Sequence, residues 1–228
     1  MGINYESGIS NLKWIRNIHG TENITMKIIC IGRNYADHAK ELNNPVPVNP
    51  VFFMKPDSSL LINNKPFFYP QFSKEIHYET EIVLKICKLG KSIQPQFANR
   101  YYEEIGIGID FTARDLQNVC KKEGHPWEIA KAFDQSAVLG KFLPKSSLPD
   151  LSAINFQLDL NGIPVQKGNT RDLLFSFDEL ITYVSAFVTL KTGDLIYTGT
   201  PAGVGPVKIG DRLVASVESK VLLDFKVK

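Results

Sequence analysis

Residues 74–87 carry the pattern that most restricts this chain. Ile76, Tyr78, Thr80, Ile82, Leu84 and Ile86 alternate with His77, Glu79, Glu81 and Val83. A period of two predicts a β-strand with these two sets on opposite faces. Glu79 and Glu81, at i and i+2, therefore point the same way. Like charges that close repel, and burial raises the cost. A solvated outer face relieves the repulsion, and so does a bound cation. Carboxylate oxygens are hard ligands, so the cation predicted is Mg²⁺, with Mn²⁺ next.

The remaining composition limits the partners. The 228 residues are 43% hydrophobic and 22% charged, with a net charge of +2. That suffices for one sizeable core or two small ones. Interspersed charges call for neither a nucleic-acid nor a membrane partner. No apolar run approaches the roughly 18 residues of a membrane span. Cys30, Cys87 and Cys120 are odd in number and far apart, which suggests neither a zinc site nor a disulfide framework. Reduced thiols in a cytoplasmic protein are expected. Residues 1–25 are polar around Trp14, Ile15 and Ile18 and lack a signal-peptide core. They read as an N-terminal extension, either a short docking helix or an upstream addition. Residues 26–228 read as the domain proper, which the family resemblance described below implies to be a single catalytic domain.

Along that domain, 26–32 is the first convincing strand. One or two helical turns are predicted over 35–42, placing His38 and Glu41 as neighbours at i and i+3. Pro45, Pro47 and Pro50 then force a loop, a plausible lid over a site. Strands are expected at 51–54 and 66–69, a helix at 95–104 and a buried strand at 105–111. Asp110 near the end of that strand is costly unless paired or ligating. Thr112 is a candidate N-cap for a helix over 113–123, ended by Gly124. Asn161-Gly162 predicts a type I′ hairpin. Ser176 can cap a helix over 177–190. Residues 195–198 read as a strand, 199–206 as a glycine loop, and 212–217 with 222–227 as a hairpin. The count favours a β-rich α+β fold with a few short helices.

Glu79, Glu81 and Asp110 would supply three oxygens, about half of an octahedral Mg²⁺ shell. Lys131, Arg114 and Lys55 are candidate neighbouring cations, although each can also be a surface side chain with a snorkelling stem. His38 with Glu41 suits a general-base pair or a solvated ion pair. Thr200 and the backbone N–H groups of the 199–206 loop suit a carboxylate, although Gly-Pro clusters often only turn the chain.

Several motifs together resemble the fumarylacetoacetate hydrolase family. They are Arg33-Asn34-Tyr35-Ala36-Asp37-His38, Phe53-Met54-Lys55-Pro56, His77-Tyr78-Glu79-Thr80-Glu81, Asp110-Phe111-Thr112-Ala113-Arg114-Asp115-Leu116-Gln117, Ala130-Lys131-Ala132-Phe133 and Gly199-Thr200-Pro201-Ala202-Gly203-Val204-Gly205-Pro206. The likeness spans about 26–227 and is strongest to the short, single-domain acylpyruvase and oxaloacetate decarboxylase branch. It implies a mixed β-sandwich roll, usually a homodimer. It implies Glu79, Glu81 and Asp110 as ligands of Mg²⁺ or Mn²⁺, and His38, Glu41 and Lys131 as catalytic residues. Arg33, Lys55, Arg114, Gln117 and Thr200 are implied in substrate binding. The activity implied is C–C cleavage of a small 2-oxo acid through a metal-stabilised pyruvate enolate. This means acylpyruvate or fumarylpyruvate hydrolysis, oxaloacetate decarboxylation, or both. The same scaffold would also serve a 2-hydroxyhepta-2,4-diene-1,7-dioate isomerase or a 2-keto-4-pentenoate hydratase. A non-catalytic metabolite binder is the reading from a different class.

Overall fold

The computed structural model describes residues 26–41 and 45–228. The expectations for 1–25, and the end of the helix expected over 35–42, lie outside these residues. In chain order the elements are β1 (Ile28–Gly32), α1 (Ala36–Glu41), β2 (Val51–Lys55), β3 (Leu60–Leu61), β4 (Ile76–Tyr78) and β5 (Thr80–Ile86). Then follow α2 (Pro95–Ala98), β6 (Tyr102–Asp110), β7 (Thr112–Ala113), α3 (Arg114–Glu123), α4 (Glu128–Lys131) and β8 (Ala137–Pro144). The last are β9 (Asn155–Leu160), β10 (Ile163–Asn169), α5 (Phe177–Phe187), β11 (Leu195–Tyr197), β12 (Gly205–Pro206), β13 (Arg212–Val217) and β14 (Lys220–Lys226).

Among the described residues three sheets result. A seven-stranded mixed sheet has the order β2-β1-β11-β5-β6-β8-β3, with β1–β11 and β3–β8 parallel. An antiparallel sheet, β10-β9-β13-β14, packs over it, and a small sheet, β12-β4-β7, caps one end. The main core lies between the two larger sheets. Ile82, Leu84, Ile105 and Ile107 meet Leu158, Leu213, Ala215 and Phe225 there, all fully or almost fully buried. A second cluster, with Cys30, Val83, Leu139 and Tyr197, fills the inner side of the curled seven-stranded sheet. The β-rich α+β fold expected from the residues, and the mixed β-sandwich implied by the resemblance, are what the structure shows.

The alternating stretch is two strands, not one. β4 belongs to the small sheet and β5 to the large one, and Glu79 sits at the seam. Both faces are covered, which rules out a solvated outer face for Glu79 and Glu81.

Some local expectations fail for identifiable reasons. The helix expected over 95–104 stops at Ala98, because residues from Tyr102 onward are recruited as β6 between β5 and β8. Tertiary pairing overrides local propensity there. Thr112 is not a cap. It lies in β7, and its hydroxyl accepts from Lys131 instead. Phe67 makes only an isolated bridge to Val227, where a strand over 66–69 was expected. Ser176 does cap α5, in a reciprocal capping box with Glu179, but the helix ends at Phe187, before the extended Val188. Gly124, at φ 69°, ends α3, and Asn161 and Gly162, at φ 55° and 82°, turn the β9–β10 hairpin.

Candidate active site

Three carboxylates converge where the sheets meet. Glu79 lies in the seam between β4 and β5, Glu81 in β5, and Asp110 at the end of β6. The Asp110 N–H donates to the Glu79 carbonyl at 2.8 Å, which fixes the two segments against each other. One carboxylate oxygen from each residue lies within 4.8 Å of the others. All three are at most 5% exposed.

Cations surround them. The Lys131 ammonium spends its three donors on Glu79 Oε2 and Asp110 Oδ2, both at 2.8 Å, and Thr112 Oγ1 at 2.6 Å. Arg114 donates through Nη2 to Glu79 Oε1 and through Nη1 to Gln117 Oε1. Burial pushes the Glu79 carboxyl up, but Lys131 and Arg114 outweigh it and hold it well below the usual carboxylate range. Burial likewise opposes the Lys131 charge, yet Asp110 and Glu79 raise its ammonium above the ordinary Lys range. Both groups are therefore charged at neutral pH.

Glu81 behaves in the opposite way. Burial, then the Asp110 carboxylate, push its carboxyl well above the usual range, and the Gly199 N–H, donating at 2.7 Å, only partly offsets this. Glu81 thus needs either a proton or a cation. Asp110 Oδ1 is buried in a 2.7 Å ion pair with the Lys55 ammonium. That ammonium also donates to the Ser136 carbonyl and hydroxyl, both at 2.9 Å, and to the Phe111 carbonyl at 3.3 Å. An under-neutralised Glu81, facing Glu79 and Asp110 across a short gap, fits a hard divalent cation.

The helix α1 carries His38 over this cluster. Arg33 adopts a left-handed backbone, φ 61°, which turns the chain sharply out of β1. Asn34 locks that turn by donating to the Phe175 and Thr198 carbonyls and accepting from the Phe175 N–H. His38 is 5% exposed, and its Nδ1 lies 3.4 Å from Glu41 Oε2, a long contact. Burial lowers the His38 pKa below its ordinary value, with Glu79 and Glu41 pushing back. The neutral imidazole is therefore the form present at pH 7, as a base requires. Glu41 also accepts from the Gly203 N–H, at 3.1 and 3.2 Å, so α1 is latched to the 199–206 loop.

That loop was expected to offer its N–H groups to a ligand carboxylate. Two of them are already engaged, Gly199 with Glu81 and Gly203 with Glu41. Gly199 has φ 106°, and a Cβ there would come within 2.7 Å of the Asn34 Cβ. The Thr200 hydroxyl faces the cavity and is held from behind by Gln166, whose Nε2 donates to it at 2.9 Å. Gln166 also donates to the Pro201 carbonyl and accepts from the Thr80 N–H.

The resulting cavity, about 30 Å³, is lined by His38, the three carboxylates, Arg33, Arg114, Gln117, Lys121, Lys131 and Thr200, with Phe53 and Trp127 as an aromatic wall. Lys55 does not line it. At 2% exposure it lies behind Asp110 and ties β2 to Ser136 across the curl of the sheet. Glu41 also stays outside, behind His38. Two lining or supporting residues escaped the sequence reading. Gln166 gave no signal, since its partners are 34 and 86 residues away. Lys121 was detectable, because Arg114, Gln117 and Lys121 at i, i+3 and i+7 share one face of α3.

With this geometry established, comparison with known proteins is decisive. The sequence model of the fumarylacetoacetate (FAA) hydrolase C-terminal family matches residues 27–228. This chain belongs to that family. Among FAA hydrolase relatives, it is 41% identical to the mitochondrial oxaloacetate tautomerase of Mus musculus over 201 residues, 88% of this chain and 91% of that one. It is 42% identical to the mitochondrial oxaloacetate decarboxylase of Dictyostelium discoideum over 185 residues, 81% and 85% of the respective chains. The crystal structure of fumarylpyruvate hydrolase from Pseudomonas aeruginosa, in complex with Mn²⁺ and pyruvate, superposes with a TM-score of 0.84 at 35% identity, covering 92% of this chain and 93% of that one. Both curated relatives are mitochondrial proteins, which departs from the cytoplasmic expectation. No helix among the described residues is long and apolar enough to cross a membrane.

Proposed function

We propose that this chain cleaves a carbon–carbon bond in a small 2-oxo acid, with Glu79, Glu81 and Asp110 holding Mg²⁺ or Mn²⁺. The observation that carries the reading is the buried carboxylate triad with its under-neutralised Glu81, open to a cavity under a neutral His38. The names of the two curated relatives and the Mn²⁺–pyruvate complex of the structural neighbour support it. The ion, when bound, supplies Lewis acidity toward the 2-oxo group.

The chain's own residues do the rest. Thr200, fixed by Gln166, donates its hydroxyl to the substrate carboxylate. Arg114 and Lys131 add positive potential where negative charge develops as the bond breaks. Because both are committed to Glu79, they are preorganised and need not move during the reaction. His38 takes a proton from water, and Glu41 orients its ring. For an acylpyruvate, that water attacks the C4 carbonyl. The C3–C4 bond breaks, its electron pair stays on C3, and a proton taken up there completes pyruvate beside a free carboxylic acid. For oxaloacetate no water attack is needed. Carbon dioxide leaves, and C3 again takes up a proton.

Keto–enol interconversion is a second reading, favoured by the tautomerase name of the mouse relative. It uses the same base without bond cleavage, and product analysis by NMR separates the two. The homodimer is part of the proposal, and sedimentation of the full chain tests it. The decisive experiment is His38→Ala assayed on acetylpyruvate and on oxaloacetate with Mg²⁺. Hydrolysis should fall about 10²-fold, as for loss of a general base, and decarboxylation by less than tenfold. Equal losses on the two substrates would remove His38 from the water-activating role.

A further inference from the structure

Charge in the cavity is not balanced. The three acids face Arg33, Arg114, Lys121 and Lys131 on the cavity wall, with Lys55 behind, before any metal ion is added. Lys131, Arg114 and Lys55 are each paired with Glu79 or Asp110. Arg33 and Lys121 are not. Among the described residues neither has an ion pair or hydrogen bond. Lys121 is half-buried, and burial, then Arg114 and Arg33, press its ammonium below the ordinary Lys range. A cation held among like charges without an acid is costly unless an anion joins it.

We infer that Lys121 and Arg33 form a second carboxylate subsite, which selects dianionic 2-oxo acids. This rests on the reading of the triad as the 2-oxo acid end of the site. Lys121 reaches the cavity from the third turn of α3, beyond Gln117 on the face that begins with Arg114. Arg33 lines it from the left-handed turn between β1 and α1. A monoanionic acyl chain would instead lie against the aromatic wall of Phe53 and Trp127, which also line a neighbouring cavity with Met54.

Two ligands of equal length separate these routes. 2-Oxoglutarate ends in a carboxylate and 2-oxopentanoate in a methyl group. Their affinities are measured by calorimetry with Mg²⁺ on the wild-type chain and on Lys121→Gln, Lys121→Arg and Arg33→Gln. The wild type should bind the dianion at least roughly tenfold more tightly, the size expected of one charge-assisted contact. Lys121→Gln should remove most of that preference and change the monoanion less than twofold. Lys121→Arg should keep it. A wild type without preference, or a Lys121→Gln variant weakened equally toward both ligands, would overturn the subsite. An intact preference with no turnover of any 2-oxo acid would sustain the subsite and overturn the catalytic reading instead.

Discussion

His38 shows how one side chain's environment sets its chemistry. Burial lowers the pKa of its imidazole below the ordinary value, and Glu79 and Glu41 push it partly back. The rate as kcat/KM needs the neutral ring, so activity falls as pH drops through the folded-state pKa. The acid limb should therefore lie below about 6.5, the ordinary His value. Glu41→Gln removes one raising influence while its side-chain oxygen can still accept from Gly203. The limb should then move to lower pH, with a lower plateau because the ring is less well oriented. A pH–rate profile checks this, and a limb that stays put or moves up would contradict the pairing. Residues of this kind were legible in the sequence because helix spacing alone makes His38 and Glu41 neighbours. Gln166 was not, since a buried glutamine in a strand carries no local mark of the distant groups it satisfies. Lys55 was legible as unusual, a lysine in an apolar run, but its direction was not. Only the curl of the sheet decides whether it faces a cavity or Ser136.

The elements that hold the site depend on close approach of strands. Gly108 in β6 lies opposite Glu81 of β5, and a Cβ there would come 2.5 Å from the Tyr197 ring and 2.7 Å from the Val138 carbonyl. The Tyr197 hydroxyl donates to that same carbonyl, so neither neighbour can yield freely. Gly108→Ala should destabilise the fold by about 1–3 kcal/mol through overpacking. Gly32→Ala has only the Val51 carbonyl nearby, at 3.8 Å, and should shift stability by less than about 0.5 kcal/mol. Urea unfolding of the two variants provides the comparison, and similar values would contradict the packing argument. Hairpins and caps were read correctly where the signal is local, as at Asn161-Gly162, Ser176 and Gly124. Where pairing with distant strands decides, as at Tyr102 and Thr112, local propensity pointed the wrong way. The break at Glu79 was hidden for the same reason: alternation continues across the seam, and only the partners change.

At the scale of the whole molecule, the acidic triad links folding to ligand binding. Glu81 and Asp110 lie on neighbouring strands of the large sheet, Glu79 sits at its seam with the small one, and Glu81 brings a charge that its surroundings do not fully offset. A divalent ion binding the folded chain and not the unfolded one stabilises it by mass action, about 2.7 kcal/mol at a hundredfold excess over Kd. For a chain of this length that is a rise in Tm of roughly 5–10 °C. Thermal unfolding in EDTA against saturating Mg²⁺ or Mn²⁺ measures it. Glu81→Gln sharpens the test because it acts in opposite directions on the two states. Its amide oxygen still accepts from Gly199, and it removes one like charge from the cluster, so the metal-free variant should be at least as stable as the metal-free wild type. With a ligand lost, the metal-dependent rise should largely disappear. A variant that keeps the full rise would place the ion elsewhere. A wild type whose Tm ignores EDTA would mean that Lys131 and Lys55 already neutralise the triad by themselves.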